Sequence, residues 1–519
     1  MQGKMKKERK SRASVPRYSS SKQLVLPGFE SPFERELNPD NRWVVLSRLI
    51  PWDEICSLYQ KQVGHKSTGR PGLSPRVVLG SLIIKHLCNL DDRETVDQIS
   101  ENIYMQYFLG YSSFSNEAPF DASLFVDFRK RLGMDTLNAI NERIISLKTK
   151  LESDKEVPSD DTPSTDSSAP SDDDGIPNKG RVIFDATACP QDIAYPTDLN
   201  LLSEAREVSE RLIDELYLPF LHQQKPRTYR KIARKRYLQT AQKKNKSRKE
   251  IRKAAGRQLG YLKRNIHSIN RLLDAYQQFP LKGKDLKYFH VIQTVFDQQM
   301  QMYKSKTHTI EHRIVSIHQP HVRPIVRGKS QAKVEFGSKI HVSIIDGISF
   351  LDELSWDAFN EGSHMESYVE GYRKRFGCYP REVLADQIYC TRNNRAMLKG
   401  KGIKLIGKPL GRPSAISIHV SPGERNPIEG KFGQAKTGYG LNRIKARLKN
   451  TSEAWIAGIF LVLNLVKLAG VALPCMMVKW VASFSAWVNV DSLCRMNFEQ
   501  RDSCLKTPCT KNIRTILAA

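Results

Sequence analysis

The chain has 519 residues, room for two or more domains, and its 82 lysines and arginines against 55 acids leave a net charge of +27. A surplus of that size calls for a polyanionic partner, nucleic acid first and an anionic membrane second, while an apolar fraction of 40% excludes a merely disordered basic tail. The nine cysteines are odd in number and make no C-x-x-C pair, which argues against a zinc ribbon or a secreted disulfide framework and suits a reducing cytosol.

Residues 1–20 are basic and Ser-rich, with no apolar signal segment behind them, and read as a disordered N-terminus. Residues 21–151 follow a helical pattern. Trp43, Leu46, Leu49 and Ile50 recur at helical spacing and Pro51 closes the run. A second helix is expected from Arg76 to Cys88. Asp91 to Thr95 starts a third, with Ile99 and Ile103 on its apolar face. Asp121 is placed to cap a fourth, Ala122 to Leu132, which carries Phe125, Phe128, Arg129, Lys130 and Arg131. Short helices ending on a basic aromatic one fit helix-turn-helix DNA binding; a small bundle with a solvated basic face fits equally well.

Residues 152–180 change character. The stretch is acidic, rich in Ser, Pro and Asp, and almost without apolar residues, so it reads as a disordered linker and a domain boundary. From residue 181 to about 473 the pattern is mixed α/β. Arg181 to Ala186 is a short strand with Asp185 near its end. Pro196-Thr197-Asp198 opens a helix whose face is Leu202, Ala205, Val208, Leu212 and Leu216. Between Lys225 and Arg264 the only acid is Glu250. Leu259, Leu262, Ile266, Ile269, Leu273 and Tyr276 then form a coiled-coil-like seam. A run from Phe289 to Tyr303 is spaced to pack on it. This predicts a basic helical hairpin inserted at about 206–330, with phosphate-backbone contact as its use.

Strand patterns resume at Lys333 and turn at Asp346-Gly347, a hairpin signal. Phe350 to Trp356 returns. Ser363 to Glu366 forms a capping box for a helix that stops at Gly377. Glu382 to Ala385 is a strand ending on Asp386, Thr391 to Leu398 a helix, and Ile403 to Ile406 a strand. After a loop at Gly411-Arg412-Pro413, Asn426 reads as an N-cap and Pro427 as the first helical residue. Glu429 then falls in the first turn, where the helix dipole favours a carboxylate. The apolar run Ile456 to Leu473 is interrupted by Asn464 and Lys467 and reads as a buried helix, not a membrane span. Residues 474–519 form a polar tail. Without the insertion the order is β-β-β-α-β-α-β-α, a mixed sheet flanked by helices. In such a sheet Asp185, Asp386 and Glu429 can meet at one edge, and three carboxylates in a basic protein suggest hard oxygen ligands for two Mg²⁺ or Mn²⁺ ions.

Three segments resemble bacterial insertion-sequence DDE transposases: FDATACPQDIAYPTDLNLL around Asp185, EVLADQIYCTRNNR around Asp386, and RNPIEGKFGQAKTGYGLNRIKARL around Glu429. GRPGLSPRVVLGSLIIKHLCNLDDRETVDQISENIYMQYFLGY and PFDASLFVDFRKRLG are similar to the helical N-terminal domain of that family. The resemblance implies an RNase H-like catalytic core with the basic insertion between its first two strands. It also implies a DNA-binding all-α N-terminal domain and metal-dependent cleavage and strand transfer on double-stranded DNA. Asp185, Asp386 and Glu429 would be the metal ligands. A homodimer or larger synaptic assembly in the bacterial cytoplasm, at the nucleoid, is implied as well. Arg425, Lys431, Lys436 and Arg443 are candidate phosphate contacts, with Arg412 and Tyr439 beside them. Asp198 reads as a helix cap. Two rivals stand: a DNA-binding protein of this fold without catalysis, and a zinc peptidase through His308, Glu311 and His312, an H-x-x-E-H spacing.

Overall fold

The computed structural model describes residues 37–63, 72–153, 177–326, 334–408 and 422–469. The basic N-terminus, residues 154–176 of the expected linker, the loop with Arg412 and the C-terminal tail lie outside the described residues.

Six helices come first: α1 Arg42–Leu49, α2 Trp52–Val63, α3 Pro75–Leu87, α4 Asp92–Glu101, α5 Ile103–Leu109 and α6 Leu124–Ser153. Asp91 and Glu94 close the capping box that starts α4. Asn102 caps α5 and so breaks the expected continuous face, leaving Ile103 exposed. α6 has a break at Gly133, where φ is 63°, and then resumes, so the expected helix to Leu132 is only its first part. Trp43 and Trp52 pack on Phe108 with ring centroids 5.3 and 5.2 Å apart. Arg129 is not on a solvated basic face. It is buried and forks both nitrogens onto Asp92 at 2.9 and 2.8 Å.

The sheet has six strands: β1 Arg181–Pro190, β2 Arg323–Val326, β3 Val334–Ile345, β4 Ile348–Ser355, β5 Glu382–Leu384 and β6 Lys404–Ile406. β1 is central, antiparallel to β3 and parallel to β5, and β5 is parallel to β6. β3 is long enough to carry β2 along its first residues and β4 along the rest of the same edge. The β3–β4 turn is Asp346-Gly347, both with positive φ (50° and 80°), the geometry a two-residue hairpin needs. β2 was not legible in the sequence: four residues with one buried side chain carry no periodicity.

Between β1 and β2 lie four helices rather than a hairpin: α7 Asp198–Leu216, α8 Arg230–Ala241, α9 Arg248–Asp274 and α10 Gly283–Ser305. They enclose a core of their own, with Leu202, Leu212, Leu262, Ile269 and Ile292 at its centre. Thr197, not Asp198, caps α7. Asp198 is salt-bridged to Arg313 at 2.5 Å and accepts from Gln299 at 2.8 Å.

After β4 come α11 Met365–Phe376, α12 Arg392–Gly400, α13 Asn426–Gly438 and α14 Lys449–Ala469. Ser363 does not cap α11; a 3₁₀ turn, Glu361–His364, capped by Asn360, leads into it. The apolar helix α14 is a core element. It packs on α6, α3, α1 and β4, and it is the one described helix long and apolar enough to cross a membrane. Its Asn464 is buried. The side chain accepts from Ser349 N–H at 2.8 Å and donates to Ser349 C=O at 2.7 Å and to Asn141 at 3.0 Å. Helix α14 thereby ties the N-terminal helices to the sheet.

Candidate active site

β1 and β5 are paired so that Val182 lies beside Val383 and Ile183 beside Leu384. Asp185 and Asp386 each follow two residues later. Neighbouring parallel strands are about 4.8 Å apart, and a step of two keeps side chains on one face. The two aspartates are therefore brought to the same face and the same level by register alone. Asp185 is not at the strand end, as expected, but in mid-strand, because β1 continues to Pro190 against β3. Asp386 lies two residues past the end of β5 at Leu384, whereas the sequence pattern ends the strand on it. It caps the 3₁₀ turn Gln387–Tyr389 and accepts from Gln387 N–H at 2.7 Å.

Helix α13 buries Ile428, Phe432 and Ala435 and packs on β1. Its cap is Arg425, one residue earlier than expected, and Asn426 is already helical. Glu429, Phe432, Gly433 and Lys436, at steps of three and four, share one face. They line a cleft of about 730 Å³ with Asp185, Asp386, Arg425, Lys339 and Glu361. Glu429 is exposed and engages no partner among the described residues.

Arg425 lies between the two aspartates, 3.5 Å from Asp185 Oδ2 and 3.2 Å from Asp386 Oδ1. Burial pushes the Asp185 carboxyl above its ordinary range. The Ala186 N–H at 2.8 Å and Arg425 oppose that, and Asp386 and Glu361 add to it. A half-buried acid among acids is a site for positive charge, and here the guanidinium supplies it. Among the described residues no three His, Cys, Asp or Glu side chains are close enough to hold one metal ion. The donor set nevertheless fits a hard divalent cation: two carboxylates side by side, a third on the facing helix and a fourth, Glu361, nearby.

The other candidates separate. Lys431, two residues from Glu429, is on the other side of α13. Burial, with Lys467 nearby, lowers its pKa. Arg443 is outside the cleft and pairs with Asp192 at 2.9 Å. Tyr439 is a core residue, 1% exposed, so it is no phosphate contact. Arg412 lies outside the described residues. Lys339 and Glu361, an ion pair in the cleft, were missed in the sequence. Lys339 is paired with Ala188, on the alternate face from Asp185 and its partner Val342, so strand alternation gives no signal for it.

The H-x-x-E-H stretch is not on a helix. It lies in the turn after α10, where His312 has a φ of 49°. His312 hydrogen-bonds Asp357 at 3.3 Å, while His308, 88% exposed, is 4.0 Å from Asp198. The two rings go to different partners, so a shared zinc is excluded by geometry.

Residues 31–131 match the family described as "Transposase domain (DUF772)", and residues 383–466 match the "Transposase DDE domain". The second match spans Asp386 and Glu429, with α12 to α14. A Rhizobium meliloti protein described as "Uncharacterized protein ORF8 in nfe locus" is 31% identical over 186 residues, covering 35% of this chain and 78% of that protein. No solved structure matches the chain.

Proposed function

Because this chain belongs to the DDE transposases of insertion sequences, we propose that it cuts DNA at the ends of its element and joins the freed 3′-hydroxyl to target DNA. Asp185, Asp386 and Glu429 are its metal-holding triad, in an RNase H-like core. The observation that carries this reading is the β1–β5 register, which sets Asp185 and Asp386 side by side under Glu429. The strand order supports it too: three antiparallel strands, β4-β3-β1, continue into parallel β5 and β6.

When bound, two Mg²⁺ or Mn²⁺ ions supply charge stabilisation for the attacking and leaving oxygens of a phosphodiester. The chain's residues bind and orient. Arg425 is a planar fork at the floor of the cleft, suited to two phosphate oxygens at once. Lys436, on the Glu429 face, adds a second cation along the DNA backbone. The Lys339–Glu361 pair borders the aspartates and limits how far Glu361 can swing toward them. An element has two ends to hold together, so the working form is read as a dimer or larger synaptic assembly.

The test is Mg²⁺-dependent cleavage of duplex DNA carrying the element's own ends. The wild-type chain is expected to cut. Asp386→Ala and Glu429→Ala are expected to bind without cutting. Cutting that survives either substitution sinks the triad. A wild-type chain that binds the ends and never cuts them is a DNA-binding protein of this fold instead.

A further inference from the structure

The four-helix insertion presents one face that the catalytic cleft does not use. Helix α9 buries Ala254, Gln258, Leu259, Tyr261, Leu262, Asn265, Ile269 and Leu272 against its neighbours. On the opposite face, at steps of three and four, come Lys249, Lys253, Arg257, Gly260, Arg264, His267 and Arg271, all exposed. No acid occurs between Glu250 and Asp274. Glu250 itself is engaged, in the capping box with Ser247 and in an ion pair with Lys243 at 2.6 Å. Lys249, Lys253, Arg257 and Arg271 have no acidic partner among the described residues. Arg264 is held in place by stacking on Tyr229 and Tyr261, at 4.8 and 4.9 Å. Like charges along one helix face repel each other, so this row weakens the free protein.

Gly260 points the same way from a separate observation. A glycine inside a helix costs roughly 1 kcal/mol relative to alanine. Gly256, one turn before, has a reason inside the protein: a Cβ there would come within 2.7 Å of the Tyr303 hydroxyl. At Gly260 a Cβ would meet nothing within 4 Å. The bare backbone sits in the middle of the cationic row, where it leaves room for something outside to approach.

We infer that this face of α9 is a sequence-independent grip on the phosphate backbone of duplex DNA, apart from the cleft. The inference rests on the reading of the chain as acting on DNA. Lys249 to Arg271 spans ~33 Å at 1.5 Å per residue, close to the ~34 Å of one duplex turn. Tyr229, exposed beside the face, has Arg264 stacked on its ring and so offers unpaired bases no free platform. The face carries no apolar row that could enter a membrane. Charge without base-reading side chains positions a duplex and does not select its sequence.

The experiment measures binding of the full chain to a 30-base-pair duplex across a salt series, with the element's end and with unrelated sequence. Two variants are compared: the triple Lys249→Gln, Lys253→Gln, Arg257→Gln, and Gly260→Leu. The triple variant is expected to lower the log–log salt slope by roughly 2 to 3, at about 0.9 per lost phosphate contact, equally on both duplexes. Gly260→Leu is expected to keep or raise Tm, since leucine is the better helix former, while affinity falls severalfold. An unchanged slope in the triple variant overturns the grip, as does a loss confined to single-stranded DNA or phosphatidylglycerol vesicles. Wild-type affinity in Gly260→Leu overturns the close approach. The readout is binding, so a chain that never cuts DNA can still show the grip, and one that cuts normally with an unchanged slope refutes the grip alone.

Discussion

Asp185 and Asp386 each lie two residues past a directly paired couple of β1 and β5, Ile183 beside Leu384, and one guanidinium, that of Arg425, reaches both carboxylates. Two acids on neighbouring strands repel one another, and Asp185 is also half-buried. Without a cation between them one would be driven toward protonation. Arg425 therefore holds the cleft ready while competing for the place a divalent ion would take.

Arg425→Met removes that competitor and also a phosphate fork. Affinity for Mn²⁺ is expected to rise severalfold, read by isothermal titration of the chain without DNA. Cleavage is expected to fall by roughly two orders of magnitude, the scale at which a positioned charge acts on a transition state. Unchanged Mn²⁺ affinity would show that Arg425 and the ion do not share the site.

Lys85 titrates in reach of ordinary buffers. It is buried beside Trp455, His86 and Arg129, its nitrogen 3.0 Å from Asp92 and 4.4 Å from the Trp455 ring centroid. Burial pushes its pKa down to about 8, and Asp92 opposes that shift. The unfolded chain keeps a lysine pKa near 10.4. Between about pH 8 and 10.4 the unfolded state binds the proton more tightly, so this group makes stability rise with pH across that window. The wild-type chain should gain on Lys85→Met as pH goes from 7 to 9.5. Parallel Tm curves for the two proteins would place the Lys85 pKa outside the window.

Asn464 serves three elements with one amide. Asn464→Leu would leave Ser349 N–H and C=O without that partner at the outer edge of β4, inside the core. Each unsatisfied buried group costs about 1–3 kcal/mol. A loss of roughly 3 kcal/mol in denaturant unfolding is expected, with the slope of the transition unchanged. A loss under 1 kcal/mol would mean that the tie between α14, α6 and β4 is made by apolar packing alone.

The helices of the N-terminal part and of the sheet's flanks were legible because their signals are local. Caps such as Asp91 and Thr391, the Asp346-Gly347 turn and the stop at Gly377 act within four residues. The insertion was legible as helical and basic. Its count of helices was not, since α8, with Ala233 as its one buried residue, has almost no apolar face to read. Position relative to other elements was hidden too. The basic aromatic look of the α6 start suggested a surface, but Phe125, Phe128 and Arg129 turn inward because α14 and Asp92 lie there to receive them.

The sequence by itself pointed to a polyanionic partner and an α/β pattern, through composition and local periodicity, and its resemblance to DDE transposases singled out Asp185, Asp386 and Glu429 as candidate metal ligands. Only the tertiary structure decided which residues share the cleft. β5 is three residues long, and its pairing with β1 joins positions about two hundred residues apart. No periodicity encodes that partner, because strand pairing is settled by competition among all edges as the core forms. The same competition sent Lys431, Tyr439 and Arg443 elsewhere and brought Lys339 and Glu361 in. One turn of α13 spans only 3.6 residues, so a shift of two along the helix separates Glu429 in the cleft from Lys431 on its far side.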